Sequence, residues 1–170
     1  TILGYMVSDL SQFYLDITKD RLYCGLPAGL ERRSAQTAVY RILDATLRLL
    51  APVLSFTMEE AWSHHHRMAG APESIMLTRL PDPEDFPTDQ ALLDDMSLFR
   101  QVREVVLKTL EQSRTSREIG HPLQASVALE VRQGSEFDRV VTRFEPILPE
   151  LFVVSRVVVK RTESVGSDVP

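Results

Sequence analysis

Four histidines and one cysteine are the residues of this 170-residue chain whose types come nearest to metal or nucleophilic chemistry. His64, His65 and His66 are consecutive. Consecutive helical positions point about 100° apart, so three neighbours do not converge on one ion, and no His or Cys follows one turn later to help. A solvated or helix-terminal cluster is the expectation for them, with a lone transition-metal site as the competing one. His121 and Cys24 lie in unrelated segments, and no serine sits in a nucleophile elbow. The 7 glycines are dispersed, and Gly25 and Gly29 flank a helix break instead of following a strand, so no phosphate-cradling loop is present. The paired acids Glu59-Glu60 and Asp94-Asp95 sit near helix starts, where compensation of the helix dipole explains them. The expectation is therefore no catalytic residue, no metal ligand and no cofactor in these residues.

What remains is a set of bases and aromatics at the ends of two helical patterns: Phe13, Tyr14, Lys19, Arg21 and Tyr23, then Arg32, Arg33 and Gln36. Arg32 and Arg33 open a helix, where free backbone N–H groups already attract phosphate, and an unpaired base can stack on an exposed tyrosine. The competing reading is a solvated charged face. The chain is acidic overall, with 19 Lys plus Arg against 24 Asp plus Glu and a formal charge of -5, so a generic electrostatic grip on a polyanion is excluded and any phosphate-binding face must be local. One cysteine gives no disulfide and no Cys-rich zinc frame, which favours a reducing compartment with cytosol as the default. Apolar runs such as 49–54 fall far short of the ~20 residues that span a bilayer, so neither a membrane nor an export signal is expected. Thr1 opens in mid-pattern, as in a fragment of a longer protein.

The elements that must position these side chains follow from periodicity. Leu3, Met6, Leu10, Phe13 and Ile17 form one apolar stripe on a helix through about Leu22. Gly25, Pro27 and Gly29 end it, and Ala35, Val39, Ile42, Thr46, Leu49 and Leu50 form a second stripe disturbed by Pro52. Thr57 with Glu60 three residues on offers a capping box for a third helix carrying Trp62. Residues 69–90 hold too many prolines and glycines for a helix, with Ile75-Met76-Leu77 as a short extended piece. From Thr88 the stripe Leu92, Met96, Phe99, Val102, Val106 and Leu110 predicts a long fourth helix. Beyond Gly120 and Pro122 the period becomes two at Val127, Leu129 and Val131, which predicts a half-buried strand. A short helix over 136–144 follows, then a Val-rich stretch over 151–160 in which Arg156 interrupts two possible strands. The fold expected is mainly α: a helical bundle over 1–118, a small strand-helix-strand module over 119–161 and a disordered tail over 162–170. Parallel neighbouring strands would make that connection right-handed.

The order of the segments carries a resemblance. Residues 9–23, DLSQFYLDITKDRLY, resemble the DLS-x-FYLDI-x-KDRLY stretch of bacterial isoleucyl-tRNA synthetases. Residues 32–38, RRSAQTA, and 49–62, LLAPVLSFTMEEAW, are similar to that family's RRSAQTA and LLAPILSFT-x-EE-x-W. Residues 73–77, 119–125 and 151–155 resemble its ESVHL, IGSSLEA and LFIVS segments, with His121-Pro122 in place of two small residues and the three histidines outside the family pattern. The RRSAQTA string distinguishes the match from valyl- and leucyl-tRNA synthetases, the near alternatives of shared ancestry.

The resemblance implies the anticodon-binding helical bundle, with the start of the C-terminal junction, of a class I synthetase. The complete enzyme would activate isoleucine with ATP and Mg, transfer it to tRNA and edit mischarged product in the cytoplasm, many members carrying a C-terminal zinc module. Neither a HIGH-like nor a KMSKS-like string occurs here. The implied partners are isoleucine-accepting tRNA and the other domains of the same synthetase, with no DNA and no membrane. The tRNA-binding candidates are Tyr14, Lys19, Arg21, Tyr23, Arg32, Arg33 and Gln36. The opposed reading is a helical scaffold that binds protein, supported by the acidic balance and the lack of a dense basic patch.

Overall fold

A computed structural model describes residues 1–65 and 70–163. Its elements in chain order are α1 (Ile2–Gly4), a π-wound segment (Tyr5–Tyr14), α2 (Leu15–Ile17), α3 (Lys19–Tyr23), α4 (Leu30–Leu50), α5 (Ser55–His64), α6 (Gln90–Thr115), β1 (Ser126–Arg132), α7 (Glu136–Phe144), α8 (Leu148–Phe152) and β2 (Arg156–Thr162). They form two compact units, Thr1–Thr18 with Asp89–Pro170, and Lys19–Thr88.

In the first unit, α6 is the organising element. Asp89 caps it by accepting the Leu92 N–H at 3.0 Å. Phe99, Val106 and Leu110 are buried along one side, as the expected stripe requires. Phe99 packs edge-on against Phe144 of α7, with ring centroids 5.3 Å apart, and is stacked 5.5 Å from Phe152 of α8. The strands pair in parallel, from Ser126 opposite Arg156 to Arg132 opposite Thr162. Alternation puts Val127, Leu129, Val131, Val157 and Val159 against the helices and leaves Glu130 and Lys160 outward. The Ser155 hydroxyl donates to the Ala125 carbonyl at 2.6 Å and ties the approaches of the two strands together.

Several local expectations are corrected. The first helix is not a continuous α-helix to Leu22. Its middle is π-wound, with the Leu15 N–H donating to the Leu10 carbonyl, and it stops at Thr18, whose hydroxyl donates to the Tyr14 carbonyl at 2.7 Å. Such back-bonding competes with the helical ladder and bends it. Phe13, on the stripe of that helix, is covered by the guanidinium groups of Arg100 and Arg103, each 5.1 Å from its ring centroid. Arg156 does not separate two strands. Residues 148–152 are α8, Val153 turns the chain at a φ of 56°, and Arg156 opens β2. Thr162 is still in β2, and the tail over 164–170 lies outside the described residues.

Asp95 is a further correction. It lies beyond the first turn of α6, it is 2% exposed, and it accepts from Arg139 at 2.5 Å and Arg143 at 2.6 Å. Two cations reaching it from α7 overrule the dipole explanation, because a buried carboxylate requires partners. The Arg143 hydrogen bond, with that of Arg139, holds the Asp95 carboxyl below its ordinary value of 3.8. Asp138 is also held low, first by the Gly134 N–H and then by Arg161.

The second unit has a smaller core of Leu47, Ala51, Trp62 and Ile75. The Trp62 indole N–H donates to the Pro72 carbonyl at 3.2 Å, so the ring is buried with its polar edge satisfied. The Thr57–Glu60 capping box does not form. The helix begins at Ser55 with no side-chain cap at Leu54, which places Thr57 inside the first turn. Glu59 instead accepts from the Ser74 hydroxyl at 3.0 Å and the Ile75 N–H at 3.1 Å, fastening the following loop to α5. Ile75–Leu77 is accordingly a 3₁₀ turn and not an extended piece.

Two measurements check this account. Phe99→Ala is expected to cost about 3–5 kcal/mol in denaturant unfolding of the chain, as for other buried aromatics. The lowered carboxyl values of Asp95 and Asp138 mean that their stabilisation is present above the unfolded value and is lost as pH falls through the folded one. The melting midpoint should therefore drop on acidification, and Asp95→Asn should lower it near neutral pH and flatten its acid dependence.

Candidate nucleic-acid interface

Residues 19–36 form a corner in the second unit. The carbonyl of Asp20 accepts two N–H groups, from Cys24 at 2.8 Å and Gly25 at 3.1 Å, closing the end of α3. A Cβ at Gly25 would stand 2.6 Å from the Arg21 carbonyl oxygen, so only glycine lets the chain turn here. Gly29 is extended, provides no side-chain cap, and launches α4 at Leu30. The first N–H groups of α4 thus meet no capping side chain, the condition under which a helix N-terminus attracts an anion.

The candidates occupy this frame unequally. Tyr23 is 81% exposed at the end of α3, and Leu26 and Leu30 beside it are 79% and 85% exposed. Arg33 and Gln36 are exposed on the first two turns of α4. Arg32 points the other way. It is half-buried, and its Nη1 donates to the Gly25 carbonyl at 3.1 Å, so it holds the corner closed. Lys19 is exposed and Arg21 half-buried on α3. Tyr14 belongs to the first unit, where it is half-buried and its carbonyl accepts from Thr18.

The histidines divide as well. His64 is exposed in the last turn of α5, while His66 lies outside the described residues. His65 is not solvated: it is 8% exposed, stacked 4.9 Å from Tyr40 and set 5.5 Å from Trp62. Its Nε2 stands 3.6 Å from an Asp44 oxygen. Among the described residues no three His, Cys, Asp or Glu side chains are grouped to hold a metal. His121 acts locally in the first unit, its Nδ1 accepting the Leu123 N–H at 3.2 Å at the turn before β1. None of the described helices is long and apolar enough to cross a membrane.

Sequence reasoning missed one feature, a cavity of about 420 Å³ walled by Tyr40, Arg41, Asp44, Arg48, Trp62 and Phe86 among others. Its α4 residues 40, 41, 44 and 48 recur at helical spacing beside the apolar stripe, but the walls from α5 and the loop of Phe86 leave no such pattern along the chain.

The corner thus carries an exposed tyrosine, a helix N-terminus without a capping side chain and an exposed arginine. Comparison with known proteins gives the chain its class. The family model described as the anticodon-binding domain of tRNA ligase matches residues 1–129, and the chain belongs to that family. It is 44% identical over 165 residues to the isoleucine–tRNA ligase of Carboxydothermus hydrogenoformans, covering 97% of this chain and 18% of that protein. It is 40% identical over 158 residues to the isoleucine–tRNA ligase of Symbiobacterium thermophilum, covering 92% of this chain and 17% of that one. The Thermotoga petrophila isoleucine–tRNA ligase is 38% identical over 156 residues, again 92% and 17%. The chain thus spans less than a fifth of the length of these curated relatives.

The two adjacent arginines should separate by experiment. Arg32→Ala is expected to raise amide hydrogen exchange over residues 24–29, because the Gly25 carbonyl is left without its donor, whereas Arg33→Ala leaves that exchange unchanged.

Proposed function

We propose that this chain is the anticodon stem-loop-binding segment of an isoleucine–tRNA ligase. In this reading residues 1–118 are the anticodon-binding bundle, 119–161 begin the C-terminal junction, and the segment positions isoleucine-accepting tRNA for aminoacylation elsewhere in the same cytoplasmic enzyme. The observation that carries it is the α3–α4 corner, where exposed Tyr23 stands in the same turn-and-helix frame as exposed Arg33 and Gln36. Backbone N–H groups and Arg33 supply phosphate contacts, Gln36 can donate to or accept from a base edge, and Tyr23 offers a ring to an unpaired base. Lys19 and Arg21 add positive charge on α3. Arg32 supports the site by holding the Gly25 turn, and Tyr14 is a separate RNA-contact candidate within the first unit. ATP and Mg, and zinc where the parent carries the C-terminal module, belong to parts of the synthetase beyond this segment. The isoleucine assignment over its valyl and leucyl counterparts is supported by the names of the relatives and by the RRSAQTA string at 32–38.

The test is binding of the 170-residue chain to an isoleucine tRNA and to the same tRNA with a foreign anticodon, at two salt concentrations. Tighter binding to the first is expected. Arg33→Ala should weaken binding and reduce the salt slope by about one, the share of a single phosphate, and Tyr23→Ala should weaken binding about tenfold with little change in slope. Absence of binding by folded chain, with association to a protein partner independent of tRNA, establishes the scaffold reading instead.

A further inference from the structure

The two strands of the first unit present unlike edges. The Gln133 N–H, just past β1, donates to the Thr162 carbonyl at 2.9 Å. Successive N–H groups of a strand point to opposite sides, so those of Leu129 and Val131 also face β2, while those of Ala128, Glu130 and Arg132 face away from it. The Arg132 carbonyl on that outer side is taken by Ser135, whose N–H and hydroxyl donate to it at 3.2 and 2.7 Å. Among the described residues the sheet has two strands, so the N–H and C=O groups of Ala128 and Glu130 have no strand to pair with. The Glu130 side chain is turned to Lys160 at 3.8 Å on the outward face and leaves this edge clear.

The open edge of β1 runs along a groove of about 480 Å³, whose apolar walls are Leu129 and Val131 of β1, Val102 and Val105 of α6 and Phe137 of α7. Val105 is 54% exposed and Phe137 40%. Folded proteins protect a free strand edge with proline, a bulge or an inward-pointing charge, because an unpaired ladder recruits further strands. β2 carries such protection. Its Arg161, in step with the inward Val157 and Val159, reaches Asp138 of α7 at 2.9 Å and Glu145 at 2.6 Å. β1 carries none: its inward residues are Val127, Leu129 and Val131, it has no proline, and its register against β2 is unbroken over 7 residues.

A free ladder above an apolar floor fits an extended segment, which adds a strand with its backbone and seats alternate apolar side chains in the groove. We propose that this segment is supplied by the same polypeptide, from the part of the synthetase outside these 170 residues, and that it pairs with β1 as a third strand of the sheet. The inference rests on the reading of the chain as a synthetase segment. Two considerations select this occupant over a separate protein or a second copy. The chain spans less than a fifth of the length of its curated relatives, so most of such a polypeptide lies outside it. A single strand laid in the groove buries less than the roughly 1,200 Å² of a stable complex between separate proteins, whereas a tethered segment needs no such area, because the tether sets its effective concentration.

The experiment compares residue-level amide hydrogen exchange in the 170-residue chain and in the full-length polypeptide that contains it. Leu129 and Val131, bonded to β2, should be protected in both and report that the module is folded. Ala128 and Glu130 should exchange freely in the 170-residue chain and at least about tenfold more slowly in the full-length polypeptide. Val105→Glu puts a charge on the floor of the groove at an exposed position, so it should leave the melting midpoint of the 170-residue chain unchanged and return Ala128 and Glu130 of the full-length polypeptide towards free exchange. If that full-length variant does not fold, the comparison of the two unaltered proteins decides. Free exchange at Ala128 and Glu130 in the full-length polypeptide, with Leu129 protected, overturns the added strand. Protection that arises in the 170-residue chain and grows with its concentration assigns the edge to a second copy and overturns it as well. Charging of isoleucine tRNA by the same full-length sample is a separate readout: its absence fails the functional reading, whatever the amides show.

Discussion

Phe99 has no exposed surface, and the C-terminal half of the chain is arranged so that this is possible. A long helix standing alone leaves its apolar stripe in water. Here Phe144 covers Phe99 edge-on and Phe152 lies over it, so α7 and α8 are both drawn onto α6. That placement brings Arg139 and Arg143 to Asp95, a carboxylate that burial makes untenable without them. It also sets the distance over which the chain returns from β1 to β2, which is why the strands pair in parallel with a helical connection instead of as a hairpin.

The second unit solves a different problem with a smaller core. Trp62, Leu47, Ala51 and Ile75 bury little compared with the first unit, and polar ties do more of the positioning. Glu59 holds the turn at Ile75, Asp85 is clasped by Arg79, and Arg41 lies against Phe86. These ties leave a walled cavity rather than filling the space with apolar side chains. The same economy appears at the corner, where one glycine, one arginine and one carbonyl shape the turn from which Tyr23 and Arg33 project.

A rigid corner suits the proposed task. A recognition surface that must report to a distant reaction centre gives up less entropy on binding when its groups are already held in place. Arg32 and Arg33, neighbours in sequence, divide that labour because adjacent helical positions face different ways. One fixes the frame and the other stands exposed to solvent.

The chain by itself determined its elements where a periodic stripe ran unbroken. The stripe of α6, the alternation of β1 and the amphipathic run of α7 were legible because each buries one continuous face, and burial of one face writes a period into the sequence. The RRSAQTA and DLSQFYLDI strings determined the family. Tertiary structure alone decided which polar residues face inward. Asp95 resembles a dipole-compensating acid until α7 delivers two arginines to it, His65 resembles a solvated histidine until Tyr40 and Trp62 close on its ring, and Arg32 resembles a phosphate ligand until the Gly25 carbonyl lies beside it. The cavity was equally hidden, since its walls come from α4, α5 and the loop carrying Phe86. The reason is common to all of these. Apolar burial is a sum over a face and leaves a pattern along the chain, whereas a polar contact depends on one partner whose place only the folded chain fixes.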